Sequence, residues 1–426
     1  MNQSSPVPNH ATPDPEAHST VSRGDKSGVR YHICEIKGNR PSQEDYYFVK
    51  DCNVRTGHGA HALLEHAFED AAEKTSNPRV TDKQGKTWID GSGSCATVAI
   101  LTPDRTLTVA NLGDSPAILY VMHAKGDVIP YRLNVLHKPD VPEEKKYIES
   151  GGGKVENGVG LDRAPVSYIR IPNGRLAVSR AFGDKAFGKL VSKTPSISQI
   201  DIDEYVKPGD KAFLCVSCDG LFEKGATPED YAKIIREHIY NPHSNIAELM
   251  QDHASNNVKS NDNITVILAE IPPPSKNKEK NKEKKSVAFG VFDGHLGISA
   301  GNPSGNNVAN QVSSTIGKHM GSDGSQYEKR VCKIKPTSAP SAPPLSHDDL
   351  APPAPPIVVE GTWTQVPTTG EYHLLITPLF RNERERIKKQ VEALGIPLDT
   401  TNSKIWIVPA EHAEKLKQHL PRGLSR

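Results

Sequence analysis

With 426 residues, 35% of them hydrophobic, and with 34 prolines and 33 glycines, the chain reads as a folded part diluted by disordered segments. A formal net charge of +1 excludes a global electrostatic drive toward nucleic acid or an acidic membrane. Six scattered cysteines exclude a disulfide framework. With no apolar signal core and no run of about 18 apolar residues, they predict a soluble, cytoplasmic, monomeric protein with no membrane or nucleic-acid partner.

Residues 1–28, rich in Pro, Ser, Asn and His, read as a disordered N-terminal arm. Alternation then predicts strands at 29–36 and 46–49, and residues 61–74 place Leu63, Leu64, Ala67, Phe68, Ala71 and Ala72 on one helical face. Further strands are expected at 96–101, 107–111, 117–121, 212–217 and 264–268, with helices over 143–150, 228–239 and 244–257. Cys215 and Cys218 form a CxxC that reads as two strand cysteines, since no second pair or neighbouring His accompanies it. Strands outnumber helices and do not alternate with them, which favours an α+β sandwich over a doubly wound sheet. Residues 29–271 make the main domain.

Residues 272–286 interrupt it as a lysine-rich, solvated linker. The run Val287-Ala-Phe-Gly-Val-Phe292 then predicts a buried strand, followed by a helix over 306–319, within a segment 287–335. A Pro-rich linker covers 336–360. Residues 361–422 read as strand (372–376), helix (381–394), strand (405–408) and helix (410–419), a small C-terminal α/β module. Its alternating Glu and Arg at helical spacing read as a solvated face, and its partner is unassigned.

Five acidic positions each stand where a strand meets a turn: Glu44-Asp45, Asp114, Asp219, Asp262 and Asp293. Carboxylates beside Gly or Asn at strand ends suit hard divalent cations, which take oxygen ligands. Seven segments around them resemble the PPM family, the type 2C metal-dependent Ser/Thr protein phosphatases. They are Arg40-Pro-Ser-Gln-Glu44-Asp45, Gly91-Ser-Gly-Ser-Cys-Ala-Thr97, Ala110-Asn-Leu-Gly-Asp114-Ser, Leu176-Ala-Val-Ser-Arg-Ala-Phe-Gly-Asp184, Val216-Ser-Cys-Asp219-Gly-Leu-Phe, Ser260-Asn-Asp262-Asn-Ile-Thr-Val266 and Phe289-Gly-Val-Phe-Asp293-Gly-His-Leu-Gly297. In that family the last segment follows directly after the Glu-Asp strand. Here it follows the lysine-rich linker, as a relocated strand–helix unit whose roughly 15-residue connection could reach about 50 Å.

The resemblance implies a β-sandwich of two antiparallel sheets flanked by helices, in permuted order. It implies hydrolysis of phosphoserine and phosphothreonine in a phosphoprotein substrate, by a water activated at two, or with a third weaker position three, Mn²⁺ or Mg²⁺ ions. Asp293 would bridge two ions, with the Gly294 carbonyl and Glu44 on one and Asp219 and Asp262 on the other. Asp114 would join Asp219 at the third position, where Glu223 stands for the family's Asp. Asp45 would orient ligands or waters, Arg40 would hold phosphate oxygens, and His295 would protonate the leaving oxygen. Asp184 reads as a structural turn residue. Leu296 and Cys218 depart from the family pattern without removing a metal ligand. The alternative reading is a weakly active or inactive pseudophosphatase that binds phosphoproteins.

Overall fold

The computed structural model describes residues 19–81, 87–160, 165–172, 174–273, 285–295, 307–322, 324, 327, 363–365, 372–375, 396–397 and 405–412. The chain divides into two units, Met1–Ala342 and Pro343–Arg426.

The first unit is built on two antiparallel sheets. One has six strands in the order Ser19–Lys26, Val29–Ile36, Ile264–Ile271, Lys211–Ser217, Ala117–Met122 and Val128–Arg132. The other has five: Ser196–Asp201, Thr106–Leu112, Ala96–Leu101, Ser286–Phe292 and Tyr46–Cys52. Lys211–Ser217 and Ile264–Ile271 lie against Ser286–Phe292, so the sheets face one another. Helices Gly57–Lys74 and Asn307–Met320 cover the outer face of the five-stranded sheet, burying Leu63, Phe68, Val312 and Ile316 against Val98, Ala288 and Phe292. Helices Pro228–His238 and Ile246–Asp252 cover the six-stranded sheet through Tyr231, Ile235 and Met250. This is the expected sandwich of two sheets flanked by helices.

Local chemistry accounts for the ends of these elements. Thr56 caps the first helix by accepting the Gly59 N–H at 3.1 Å, so the helix begins at Gly57 rather than at the first apolar residue of its pattern. Thr227 and Asp230 form a reciprocal capping box, with Pro228 in the first turn. The helix expected over 244–257 divides into Ile246–Asp252 and a π-helical turn His253–Val258, closed by Lys259 at φ 65°.

The strand Ser286–Phe292 is buried along its whole length. It pairs with Tyr46–Cys52 on one side (Ser286↔Cys52, Phe292↔Tyr46) and with Ala96–Leu101 on the other (Val287↔Leu101, Val291↔Thr97). Burying Val287, Phe289, Val291 and Phe292 contributes about 1.5–3 kcal/mol each. Gly290 is required by packing, since a Cβ there would lie 2.8 Å from the Phe48 ring.

Two expectations are corrected at the N-terminus and in the second unit. Residues 19–26 of the expected disordered arm form an edge strand, Ser19–Lys26, paired with Val29–Ile36. An edge strand tolerates polar residues, so it carries no apolar alternation to read. In the second unit Trp363–Gln365, Tyr372–Leu375 and Ile405–Val408 form a three-stranded antiparallel sheet, one strand more than expected. Ala410–His412 is a 3₁₀ turn; the rest of that expected helix, the helix over 381–394 and the linker 336–360 lie outside the described residues.

Candidate functional site

The acidic positions collect at one rim of the sandwich. Asp293 follows the buried strand Ser286–Phe292 and exchanges backbone hydrogen bonds with Cys95, its carbonyl accepting at 2.9 Å and its N–H donating at 3.2 Å. Asp219 follows Lys211–Ser217, and Asp114 follows Thr106–Leu112 through Gly113, whose φ of 118° brings its backbone against Cys95. One carboxylate oxygen from each of Asp114, Asp219 and Asp293 lies within 4.8 Å of the others.

Charge at this cluster is unbalanced. Burial, then the neighbouring carboxylates Asp293, Asp114 and Asp262, push Asp219 well above the usual carboxylate range. Burial, then Asp45, Asp114 and Asp262, do the same to Asp293. Burial also acts to raise Asp114, but the Lys138 ammonium, 2.6 Å from its Oδ2, together with the Cys95 thiol and His295, outweighs it and holds that carboxyl low. Clustered, mutually repelling oxygen donors at a rigid rim fit a hard divalent cation.

The other expected residues surround this core. Glu44, 3% exposed, accepts from Ser42 Oγ at 2.9 Å, and its N–H donates to Asn263 Oδ1 at 2.9 Å. Asp45 is buried and accepts from Thr265 Oγ1 at 2.8 Å. Asp262 pairs with the Arg40 guanidinium through Oδ2 and accepts the Asn263 N–H through Oδ1 at 2.8 Å. Glu44 and Asp262 thus flank the three-carboxylate cluster without belonging to it, while Arg40 feels Asp262, Asp219 and Glu44 together. Gly294 and His295 pair with Ser94 and Gly93. Glu223 accepts from Ser260 Oγ and the Asn261 N–H and so holds the loop that carries Asp262.

Sequence reasoning missed Lys138 and Ser115. Ser115 Oγ donates to Asp293 Oδ2 at 3.4 Å. Lys138 lies 24 residues from Asp114, so only its basic character beside Pro139 was visible. Asp184, expected as a structural turn residue, precedes a 3₁₀ helix with a left-handed backbone (φ 47°), and its carboxylate also meets His295.

Comparison with known proteins places these observations in a lineage. Residues 44–264 match the family model described as Protein phosphatase 2C, a span that ends before Ser286. The chain is 28% identical over 277 residues to "Probable protein phosphatase 2C 17" of Arabidopsis thaliana, covering 57% of this chain and 91% of that protein. It is 35% identical over 178 residues to "Probable protein phosphatase 2C 58" of the same plant, covering 42% and 55% respectively. Among solved structures, serine-threonine phosphatase 2C from Toxoplasma gondii aligns with a TM-score of 0.42 at 19% identity, over 60% of this chain and 99% of that one.

Proposed function

The chain belongs to the protein phosphatase 2C family, the metal-dependent Ser/Thr protein phosphatases, and on that premise we propose that residues 286–322 are a relocated strand–helix unit that completes its catalytic site. The observation that carries this reading is the insertion of Ser286–Phe292 between Tyr46–Cys52 and Ala96–Leu101, which delivers Asp293 to Asp114 and Asp219. Both ends of the unit return to one turn: Ser286 Oγ donates to the Val54 carbonyl at 2.6 Å, and Asn53 Nδ2 donates to the Ser322 carbonyl at 2.9 Å. Family order would leave and re-enter the chain there.

The substrate is a phosphoprotein carrying phosphoserine or phosphothreonine. Asp293, Asp219, Asp262, Glu44 and the Gly294 carbonyl would hold two Mn²⁺ or Mg²⁺ ions, with Asp114 serving a third position. When bound, such ions supply charge neutralisation at the phosphoryl oxygens and lower the pKa of a water. Arg40 exchanges its partner Asp262 for phosphoryl oxygens, which its planar fork matches in a way lysine cannot. Asp45, tied to Thr265, keeps the neighbouring groups oriented. His295 gives a proton to the departing serine or threonine oxygen.

Cytoplasmic residence, supported by buried, unbridged thiols at Cys34, Cys52, Cys95, Cys215 and Cys218, and a monomeric state are part of this proposal. Among the described residues no helix is long and apolar enough to cross a membrane. Residues 361–422 would address the enzyme to its phosphoprotein. Phosphate release from a phosphothreonine peptide with Mn²⁺ tests the reading: Asp293→Asn should lower kcat at least about a hundredfold. Unchanged turnover would refute the assignment of the relocated unit to the site.

A further inference from the structure

Phe182–Gly183, Gly93–Ser94 and Gly294–His295 form a three-stranded antiparallel ladder, with Gly183, Gly93 and His295 in one row. Beside this row His295 Nε2 meets Asp184 Oδ2 at 2.6 Å, and Asp184 is 2% exposed. Gly93 makes the approach possible: a Cβ there would lie 2.1 Å from Asp184 Oδ2 and 2.2 Å from His295 Nε2. Asp184 is clamped through its backbone. Its N–H donates to Ser92 at 3.0 Å and its carbonyl accepts from Phe187 at 2.9 Å. Lys193 Nζ donates to the carbonyls of Ala181 and Gly183 at 2.6 and 2.7 Å, fixing the strand that leads into it. A turn alone has no need of a buried carboxylate held against a histidine from an element 111 residues away.

We propose that Asp184 is the positioning residue for His295. A carboxylate only accepts, so Nε2 carries its hydrogen in either charge state of the ring, and the exchangeable proton is the one on Nδ1. Asp184 thereby sets both the tautomer and the ring plane before substrate arrives. This rests on the reading of His295 as general acid. As the phosphorus–ester bond breaks, its electron pair goes to the ester oxygen, which takes the Nδ1 proton. A water oxygen forms the new bond to phosphorus and releases one proton to solvent, and the neutral ring regains one from solvent.

The test compares two leaving groups in the Mn²⁺-loaded full chain. An alkoxide departing from phosphothreonine needs a proton; p-nitrophenolate does not. Asp184→Asn keeps a residue type that tolerates φ above zero, while Gly93→Ala forces the pair apart with both side chains intact. Each should lose roughly tenfold to a thousandfold in kcat on a phosphothreonine peptide but less than about threefold on p-nitrophenyl phosphate. Equal losses on both substrates, or no loss, in either variant with native circular dichroism would overturn the proposal. In the wild type, ¹⁵N NMR should show His295 protonated at Nε2; a bare Nε2 would overturn it independently of any variant. His295→Gln separates the two ideas. If it shows the leaving-group split and the other variants do not, the role of Asp184 alone falls; if it shows none, the general-acid reading falls.

Discussion

Ser286 Oγ donates to the Val54 carbonyl at 2.6 Å although 232 residues separate them in the chain. Asn53 and Ser322 are linked in the same way across 269 residues. The strand–helix unit therefore starts and finishes at the turn that follows Cys52, and its distance along the sequence is unrelated to its place in the sheet.

Restoring family order should consequently be tolerated. Joining Cys52 to Ser286 and Ser322 to Asn53 through short turns, with residues 274–284 deleted, should give a folded enzyme with kcat within about threefold of the original. Loop closure changes by only about 0.6 kcal/mol per doubling of length, so urea unfolding should move by no more than about 1 kcal/mol. A well-folded but inactive rearranged chain would contradict the proposed placement.

The buried strand should be intolerant of truncation. Phe289 is fully buried on an interior strand of the five-stranded sheet, and Phe289→Ala should cost about 3–5 kcal/mol in denaturant unfolding. A loss below about 1 kcal/mol would mean that the strand is not packed between its two neighbours.

Glu35 predicts a pH effect away from the carboxylate cluster. Burial pushes its carboxyl up to about 7, against the lowering hydrogen bond from Gln43. Because the folded value lies above the unfolded one, the protonated form favours the fold. The associated stability is full below about pH 4.5 and is lost as pH rises through 7. Glu35→Gln should therefore stabilise by about 1–3 kcal/mol at pH 8, with the gain vanishing near pH 4. A gain independent of pH would contradict this.

Cation removal should expose the repulsion among Asp114, Asp219 and Asp293. Mn²⁺ at a hundred times its Kd should raise stability by about 2.7 kcal/mol over the chelated protein, read as a rise in Tm. Asp219→Asn should raise the Tm of the chelated protein and abolish most of the Mn²⁺-dependent rise. Equal Mn²⁺ responses in the two proteins would exclude Asp219 as a ligand.

What the sequence made legible follows from local physics. Val287–Phe292 was readable as a strand because burial on both faces leaves an uninterrupted apolar run. Ser19–Lys26 was not, because an edge strand is specified by backbone pairing rather than by apolar side chains. The two-residue strands at 93–94, 182–183 and 294–295 are too short to carry any period, yet they set His295 beside Asp184. The motif carboxylates were legible one by one, each at a strand end. Which of them converge, and the pairing of Lys138 with Asp114, depends on register across the sheets, which no local window contains.

The lysine-rich connection between Pro272 and Lys285 is the covalent link between the strand that leads to Asp293 and His295 and the part of the chain that carries Asp114 and Asp219. A short covalent link holds the two elements it joins at an effective concentration of about millimolar. One peptide bond cut within residues 274–284 would turn an intramolecular closure into an encounter between two fragments, and activity would then fall on simple dilution with every catalytic side chain still chemically whole.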